Sequence, residues 1–243
     1  MSLELQDKTI LITGAGRGIG RATVQAATEA GATVIAVART KSDLDEVKRL
    51  CPERIETWAM DVEDSAFYRR IEALKKLDGL FNNAGTNHPQ GLLDVTEEVL
   101  DTMLNLNVRS TFLVARSAAR VMRKQKSGVI VNMSSQLGHV GCAGRTVYCA
   151  TKHAVEGMTK AMAVEMAPLG LRINSIAPTF VETPLTKPMF EDAEFQTSVL
   201  NRIPMGRVGQ VEEVASAVIF LLSSRSSLMT GSSLILDGGW NAH

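Results

Sequence analysis

A chain of 243 residues, 45% hydrophobic and 21% charged, has enough apolar material for one well-formed core. Lys plus Arg equal Asp plus Glu at 26 each, a balance that removes any electrostatic argument for nucleic acid or an acidic membrane surface. No stretch approaches the roughly 20 apolar residues of a membrane span, so the expected partner is a small molecule. The start, Met-Ser-Leu-Glu-Leu-Gln-Asp-Lys, is too polar for a secretory h-region. Short apolar runs then follow at 8–13, 33–38, 55–60, 79–82, 129–133, 172–176 and 233–236. Several are apolar almost throughout, as strands buried on both faces of a parallel sheet are. Helical spacing falls between them, at 18–29, 42–50, 64–76, 96–124, 148–167 and 211–223. Gly31, Gly128 and Gly170 mark helix C-termini, and Thr13-Gly14 and Thr96-x-x-Val99 mark turns into helices.

This alternation predicts one α/β domain with a right-handed, doubly wound sheet. Ligands of such sheets lie beyond the carboxyl ends of the strands, where strand order reverses. Residues 13–20, 82–85, 134–135 and 178–183 each follow a strand and so fall along one edge. The 179–209 segment breaks the alternation, with Pro184, Pro188 and Pro204 inside it and Pro178 just before it. It reads as an irregular connection, either a lid over the site or an ordered surface loop.

The first strand runs into Thr13-Gly14-Ala15-Gly16-Arg17-Gly18-Ile19-Gly20. G-x-G-x-x-G is not met, because position 19 is Ile; the spacing is Gly14, Gly18, Gly20. Absent side chains let the backbone approach a pyrophosphate while the next helix directs its N–H groups at the anion. Candidate cofactor contacts are therefore Gly14, Gly16, Arg17, Gly18, Ile19 and Gly20. At the end of the second strand an acid would favour NAD(H) by accepting from ribose hydroxyls. Arg39 stands there instead and can pair with a 2′-phosphate or lie over the adenine. Arg17 can reach the same phosphate or stand in solvent. NADP(H) is thus the preferred cofactor, with NAD(H) as the alternative. Asp61, ahead of Val62, suits either the adenine amino group or a helix N-cap. Small residues in Asn82-Asn83-Ala84-Gly85 let the chain pass beside a ribose, and the asparagines tie neighbouring strands.

Tyr148 and Lys152 stand four apart on a predicted helix and so share a face. A neighbouring cation, together with the positive nicotinamide of the oxidised complex, is expected to lower the phenol from its usual value near ~10. The phenol then exchanges a proton with a substrate oxygen. Ser135, just past the fifth strand, can hydrogen-bond that oxygen as charge develops on it. Asn107 is a poor helix former inside the 96–124 helix, and a kink holding a water near Lys152 accounts for it.

These residues resemble the short-chain dehydrogenase/reductase family over approximately residues 6–240. The likeness rests on Thr13-Gly14-x-x-x-Gly18-x-Gly20, Asp61, Asn82-Asn83-Ala84-Gly85, Asn107, Ser135, Tyr148-x-x-x-Lys152 and Pro178-x-x-Val181-x-Thr183. It implies a seven-stranded Rossmann sheet and an Asn107–Ser135–Tyr148–Lys152 tetrad. In that tetrad Tyr148 is the acid/base, Ser135 stabilises the oxygen, Lys152 binds the nicotinamide ribose and Asn107 holds a relay water. Thr183 and the Val181 backbone would meet the carboxamide end of the cofactor. The family often has Pro-Gly where this chain has Pro178-Thr179.

Other stretches, such as 36–40, 134–136, 147–149 and 200–204, look like the carbonyl and L-xylulose reductase branch. Residues 105–110 and Asp237-Gly-Gly-Trp240 look like hydroxybutyrate and keto-deoxy sugar-acid dehydrogenases. The expected substrate is accordingly a sugar, polyol or other small carbonyl compound, with a small hydroxy- or keto-deoxy acid as the alternative. A catalytically silent NADP-sensing protein is the alternative of another class. For the acid reading, Arg145 and Arg202 would clamp a carboxylate; a subunit neighbour or solvent are their other partners. The resemblance also implies a homotetramer, or a homodimer, packed through the 96–124 and 148–167 helices. Cys51, Cys142 and Cys149 are scattered and no His cluster has ligand spacing, which points to reduced thiols, a cytoplasmic location and no metal.

Overall fold

The computed structural model describes residues 4–184 and 186–242; residues 1–3 of the polar start, Leu185 in the 179–209 segment and His243 lie outside the described residues. The strands are β1 (Thr9–Thr13), β2 (Thr33–Ala38), β3 (Ile55–Ala59), β4 (Gly79–Asn82), β5 (Gly128–Met133), β6 (Leu171–Pro178) and β7 (Ser233–Leu236). The helices are α1 (Gly18–Glu29), α2 (Lys41–Lys48), α3 (Ser65–Glu72), α4 (Glu97–Leu104), α5 (Thr111–Gln125), α6 (Thr146–Met166), α7 (Ala193–Leu200) and α8 (Val211–Leu222). All strand pairs are parallel, in the order β3-β2-β1-β4-β5-β6-β7. The order reverses between β1 and β4, so the crevice opens beyond Thr13 and Asn82.

The inner strands β1, β2, β4, β5 and β6 are buried along most of their length because both faces of the sheet are covered there. Ile10 and Ile12 join one core layer with Val34, Ala36, Phe81 and Val131, and helices α1 and α8 add Val24, Ala27, Val214 and Val218 to it. Leu11, Ile35, Val37, Leu80 and Ile130 face the other way, against Phe67 and Ile71 of α3, Val114 and Ala118 of α5 and Ala163 of α6. Among the described residues no helix is long and apolar enough to cross a membrane.

Three expectations need correction. The 96–124 helix is broken: α4 leads into a π-helical turn over Asn105–Ser110 before α5 begins. The kink expected at Asn107 is therefore a widened turn, a form that recurs at functional sites. Gly128 does not end a helix; Lys126, at φ 54°, closes α5, and Gly128 starts β5 where a Cβ would collide with Met122. Residues 179–209 are not irregular. They hold a 3₁₀ turn over Lys187–Glu191 and then α7, which Asp192 caps by accepting from the Glu194 and Phe195 N–H groups at 2.9 and 3.2 Å. The two ends of the segment are pinned together. Val181 bridges Gly209, the Glu182 N–H donates to the Gly209 carbonyl, and the Gly209 N–H donates to the Phe180 carbonyl, each at 2.9 Å.

Candidate active site

The turn after β1 is shaped by its glycines. Gly14 and Gly18 have φ of +63° and +52°, a region side chains rarely enter. A Cβ on Gly20 would overlap the Gly14 carbonyl oxygen and lie 2.9 Å from Asn83 Nδ2. Gly16 lies against Asp43, with a built Cβ 3.0 Å from Asp43 Cβ. Helix α1 begins at Gly18 with no side-chain cap and no acid in its first turn, so Ile19 and its neighbours present a positive, uncapped end to the crevice. This cradle fits a dinucleotide pyrophosphate. Asn83 Nδ2 donates to the Thr13 and Gly14 carbonyls at 2.9 and 3.3 Å, and Thr13 Oγ1 accepts from the Asn83 and Ala84 N–H groups. Thr183 arrives from beyond β6, its Cγ2 3.4 Å from a Cβ built on Gly18. Residues 13–20, 83–85 and 183 thus meet at one edge of the sheet, and Gly85 packs against Asn107.

The adenosine end separates the two arginines. Arg39 is 75% exposed and lies 4.0 Å from Asp61. Arg17 is turned onto Asp43 instead of standing free in solvent, with Nε and Nη2 donating at 2.8 and 3.0 Å. Asp61 does not cap a helix. That place belongs to Asp64, which accepts from the Ala66 N–H, while Asp61 accepts from the Glu63 N–H at 3.0 Å and Val62 is buried behind it.

Three of the four tetrad positions meet at the C-terminal edge of β5. The Ser135 hydroxyl adjoins the Tyr148 phenol, accepts from the Leu137 N–H at 3.2 Å and lies 3.5 Å from the Pro178 carbonyl. Lys152, 4% exposed, donates to the Met133 carbonyl at 2.9 Å, with Nζ 5.5 Å from the Tyr148 ring centre. The phenol is not made acidic here. Burial pushes Tyr148 up to about 12, against the downward pull of Ser135 and Arg145, while burial brings Lys152 down to about 8 against the upward pull of Glu156. In the protein alone, burial outweighs the pull of the neighbouring groups on the phenol, while the ammonium donates to the Met133 carbonyl. Asn107, one turn deeper, donates to the Thr86 carbonyl and Thr151 Oγ1 and accepts from the Thr86 N–H. Its side chain is fully engaged in fastening the π turn to the chain after Gly85.

Between this edge and α7 lies a cavity of about 430 Å³ lined by residues that include Gln90, Arg145, Phe180, Arg202 and Trp240. The Phe180, Phe190 and Phe195 rings meet edge-on at 5.6–5.7 Å, and Phe180 lies 6.2 Å from Trp240. Arg145 is buried and Arg202 lies 5.7 Å over the Trp240 ring. Sequence reasoning missed Asp43 at the nucleotide edge, the hydrogen bonds by which Thr13 ties that edge to Asn83 and Ala84, and the aromatic cluster of the cavity. Thr13 was visible as the polar end of an apolar strand, but the 17–43 and 180–240 pairings leave no local signal.

The comparisons with known proteins agree with this geometry. A family model described as Enoyl-(Acyl carrier protein) reductase matches residues 14–241. The chain is 42% identical to an L-xylulose reductase of Bos taurus over 244 residues, covering all of both chains. It is 40% identical to Carbonyl reductase [NADPH] 2 of Sus scrofa, again covering all of both. Among solved structures, a candidate NAD(P)-dependent gluconate 5-dehydrogenase of Beutenbergia cavernae with bound NADP is similar at a TM-score of 0.95 and 32% identity, over the whole of each chain. The chain belongs to the short-chain dehydrogenase/reductase family and is a nicotinamide-dependent oxidoreductase.

Proposed function

We propose that this enzyme uses NADP(H) in preference to NAD(H) and exchanges a hydride with a sugar, polyol or other small carbonyl compound. What supports the reading most is the meeting of the Ser135 hydroxyl, the Tyr148 phenol and the Lys152 ammonium beside the glycine turn. The nicotinamide, when bound, gives or takes the hydride at the reacting carbon. In the reducing direction Tyr148, protonated well past neutral pH, donates its proton to the carbonyl oxygen, and Ser135 donates a hydrogen bond to the same oxygen as charge develops on it. Lys152 holds a positive charge beside the phenol and the ribose, which stabilises the phenolate that remains. Asn107 keeps the π turn in place through Thr86 and Thr151 and is the residue that would hold a relay water.

Gly14, Gly16, Gly18, Ile19 and Gly20 cradle the pyrophosphate. Asn83, Ala84 and Gly85 border the ribose, Asp61 and Val62 the adenine, and Pro178, Val181 and Thr183 the carboxamide end. Arg39, with no carboxylate beneath it closer than Asp61, is the residue suited to a 2′-phosphate. Residues 179–209 close over the substrate as a lid on a single catalytic domain. The enzyme acts in the cytoplasm as a homotetramer through α5 and α6, where Phe112 leaves an exposed ring and pockets with Val108, Leu113 and Met158. Absorbance of NADPH and NADH followed over a panel of ketoses, polyols and dicarbonyl compounds tests the reading. Turnover with NADPH exceeding that with NADH supports it; tight cofactor binding without turnover of any compound points to the silent sensor.

A further inference from the structure

Among the described residues Arg145 is buried and Arg172 half-buried, and the two are treated differently. Arg172, in β6, donates to the Met229, Leu221 and Ser223 carbonyls, so its guanidinium is absorbed by the fold. Among the described residues Arg145, 6% exposed at the residue that leads into α6, makes no side-chain hydrogen bond and no ion pair, and its Nη1 is buried without a partner. The titratable groups around it are Cys142, Tyr148 and Cys149, none of them a carboxylate. Burial draws its pKa below the ordinary arginine range, as expected where nothing compensates the charge.

Arg145 lines the cavity beside α7 and stands three residues before the reacting phenol, close enough for its charge to act on it. Arg202 lines the same cavity from the far side of α7, and none of the lining residues is acidic. Gln90 adds a buried side-chain oxygen without a partner, and its backbone N–H, donating to the Gly144 carbonyl at 3.0 Å, fixes the rim next to Arg145. A neutral polyhydroxy compound would satisfy the N–H groups and leave the charge uncompensated. A carboxylate satisfies both and matches the planar donor fork.

We propose that Arg145, with Arg202 opposite, receives a carboxylate of the substrate, so that within the small-carbonyl class this enzyme prefers an oxo acid and its hydroxy acid. The inference rests on the oxidoreductase reading above. In reduction the carbonyl carbon gains the hydride of the reduced nicotinamide dinucleotide, the carbonyl oxygen gains the Tyr148 proton, and the carboxylate is unchanged and held.

The test compares oxo acids of four to six carbons with their methyl esters, which keep the carbonyl and remove the charge. In the wild-type enzyme kcat/KM is expected to favour the acid by about tenfold or more. In Arg145→Gln that ratio collapses toward one, chiefly through KM for the acid, and Arg202→Gln lowers it to a smaller degree. Without turnover, the hydroxy acid raises the Tm of the wild-type complex with oxidised cofactor and not that of Arg145→Gln; NADPH affinity measured in both checks that the variant is folded. Esters turned over as well as acids, or a ratio unchanged in Arg145→Gln, overturns the carboxylate inference and leaves the oxidoreductase reading standing. NADPH binding without turnover of either series overturns both.

Discussion

At the 13–20 turn the nucleotide edge is made of backbone: positive-φ glycines, an uncapped helix end and asparagine amides holding carbonyls. Across the crevice the wall is made of side chains: Phe180, Phe195 and Arg202 of the 179–209 segment line a cavity together with Arg145 and Trp240, and Phe190 packs behind the two rings. Backbone geometry tolerates almost no change and serves any ligand with a pyrophosphate. Side chains are exchanged cheaply and decide which small molecule fits. The difference explains how one fold keeps one cofactor and varies its substrate.

The comparison predicts unequal responses to mutation. The largest is expected at Gly20, where a Cβ overlaps the Gly14 carbonyl. Gly20→Ala should weaken NADPH binding about tenfold or more, by fluorescence titration, and reduce stability by about 1–3 kcal/mol in urea unfolding. A smaller and differently directed effect is expected on the other wall. Phe195→Ala removes two edge-on ring contacts, so KM for the carbonyl substrate should rise severalfold, with stability lower by about 1 kcal/mol and NADPH affinity unchanged. An equal loss of NADPH binding in both variants would break the division. The smallest effect is expected at Asp43, which pairs with the exposed Arg17 guanidinium. Asp43→Asn should release that guanidinium and tighten NADPH about two- to threefold, with NADH little changed. No change in the NADPH-to-NADH affinity ratio would leave Arg39 as the phosphate contact alone.

The same division decides what could be read from the sequence. All seven strands lie where apolar runs place them: the five inner ones are buried along most of their length, and the edge strand β3 still turns Ile55 and Trp58 inward while Glu56 is exposed. The glycine turn was legible because positive φ selects glycine. Helix α7 was not: its eight residues sit among prolines with only Asp192 as a cap signal, and packing of Phe195 on Phe180 and Phe190 stabilises it. The π turn at Asn105–Ser110 has no local signature beyond Asn107 itself, whose partners Thr86 and Thr151 are 21 and 44 residues away. Spacing put Tyr148 and Lys152 on one face but not the direction of the ammonium, which the Met133 carbonyl sets. Spacing and charge alone do not show how strongly burial opposes ionisation of this phenol in the protein by itself.

The central claim is that Tyr148 gives a proton to the carbonyl oxygen while Lys152 stays charged beside it. It is tested most directly by the rate of carbonyl reduction against pH in the wild-type enzyme and in Tyr148→Phe. With Tyr148 protonated up to about 12, no loss of the acid is expected near neutrality. As pH rises through about 8 Lys152 passes from ammonium to amine, and kcat/KM should fall above that point. Tyr148→Phe should lose roughly 10²–10⁴ of the rate at every pH while binding NADPH as the wild-type does. Turnover within a few fold of the wild-type, or a wild-type rate that climbs steadily above pH 8, would contradict the account.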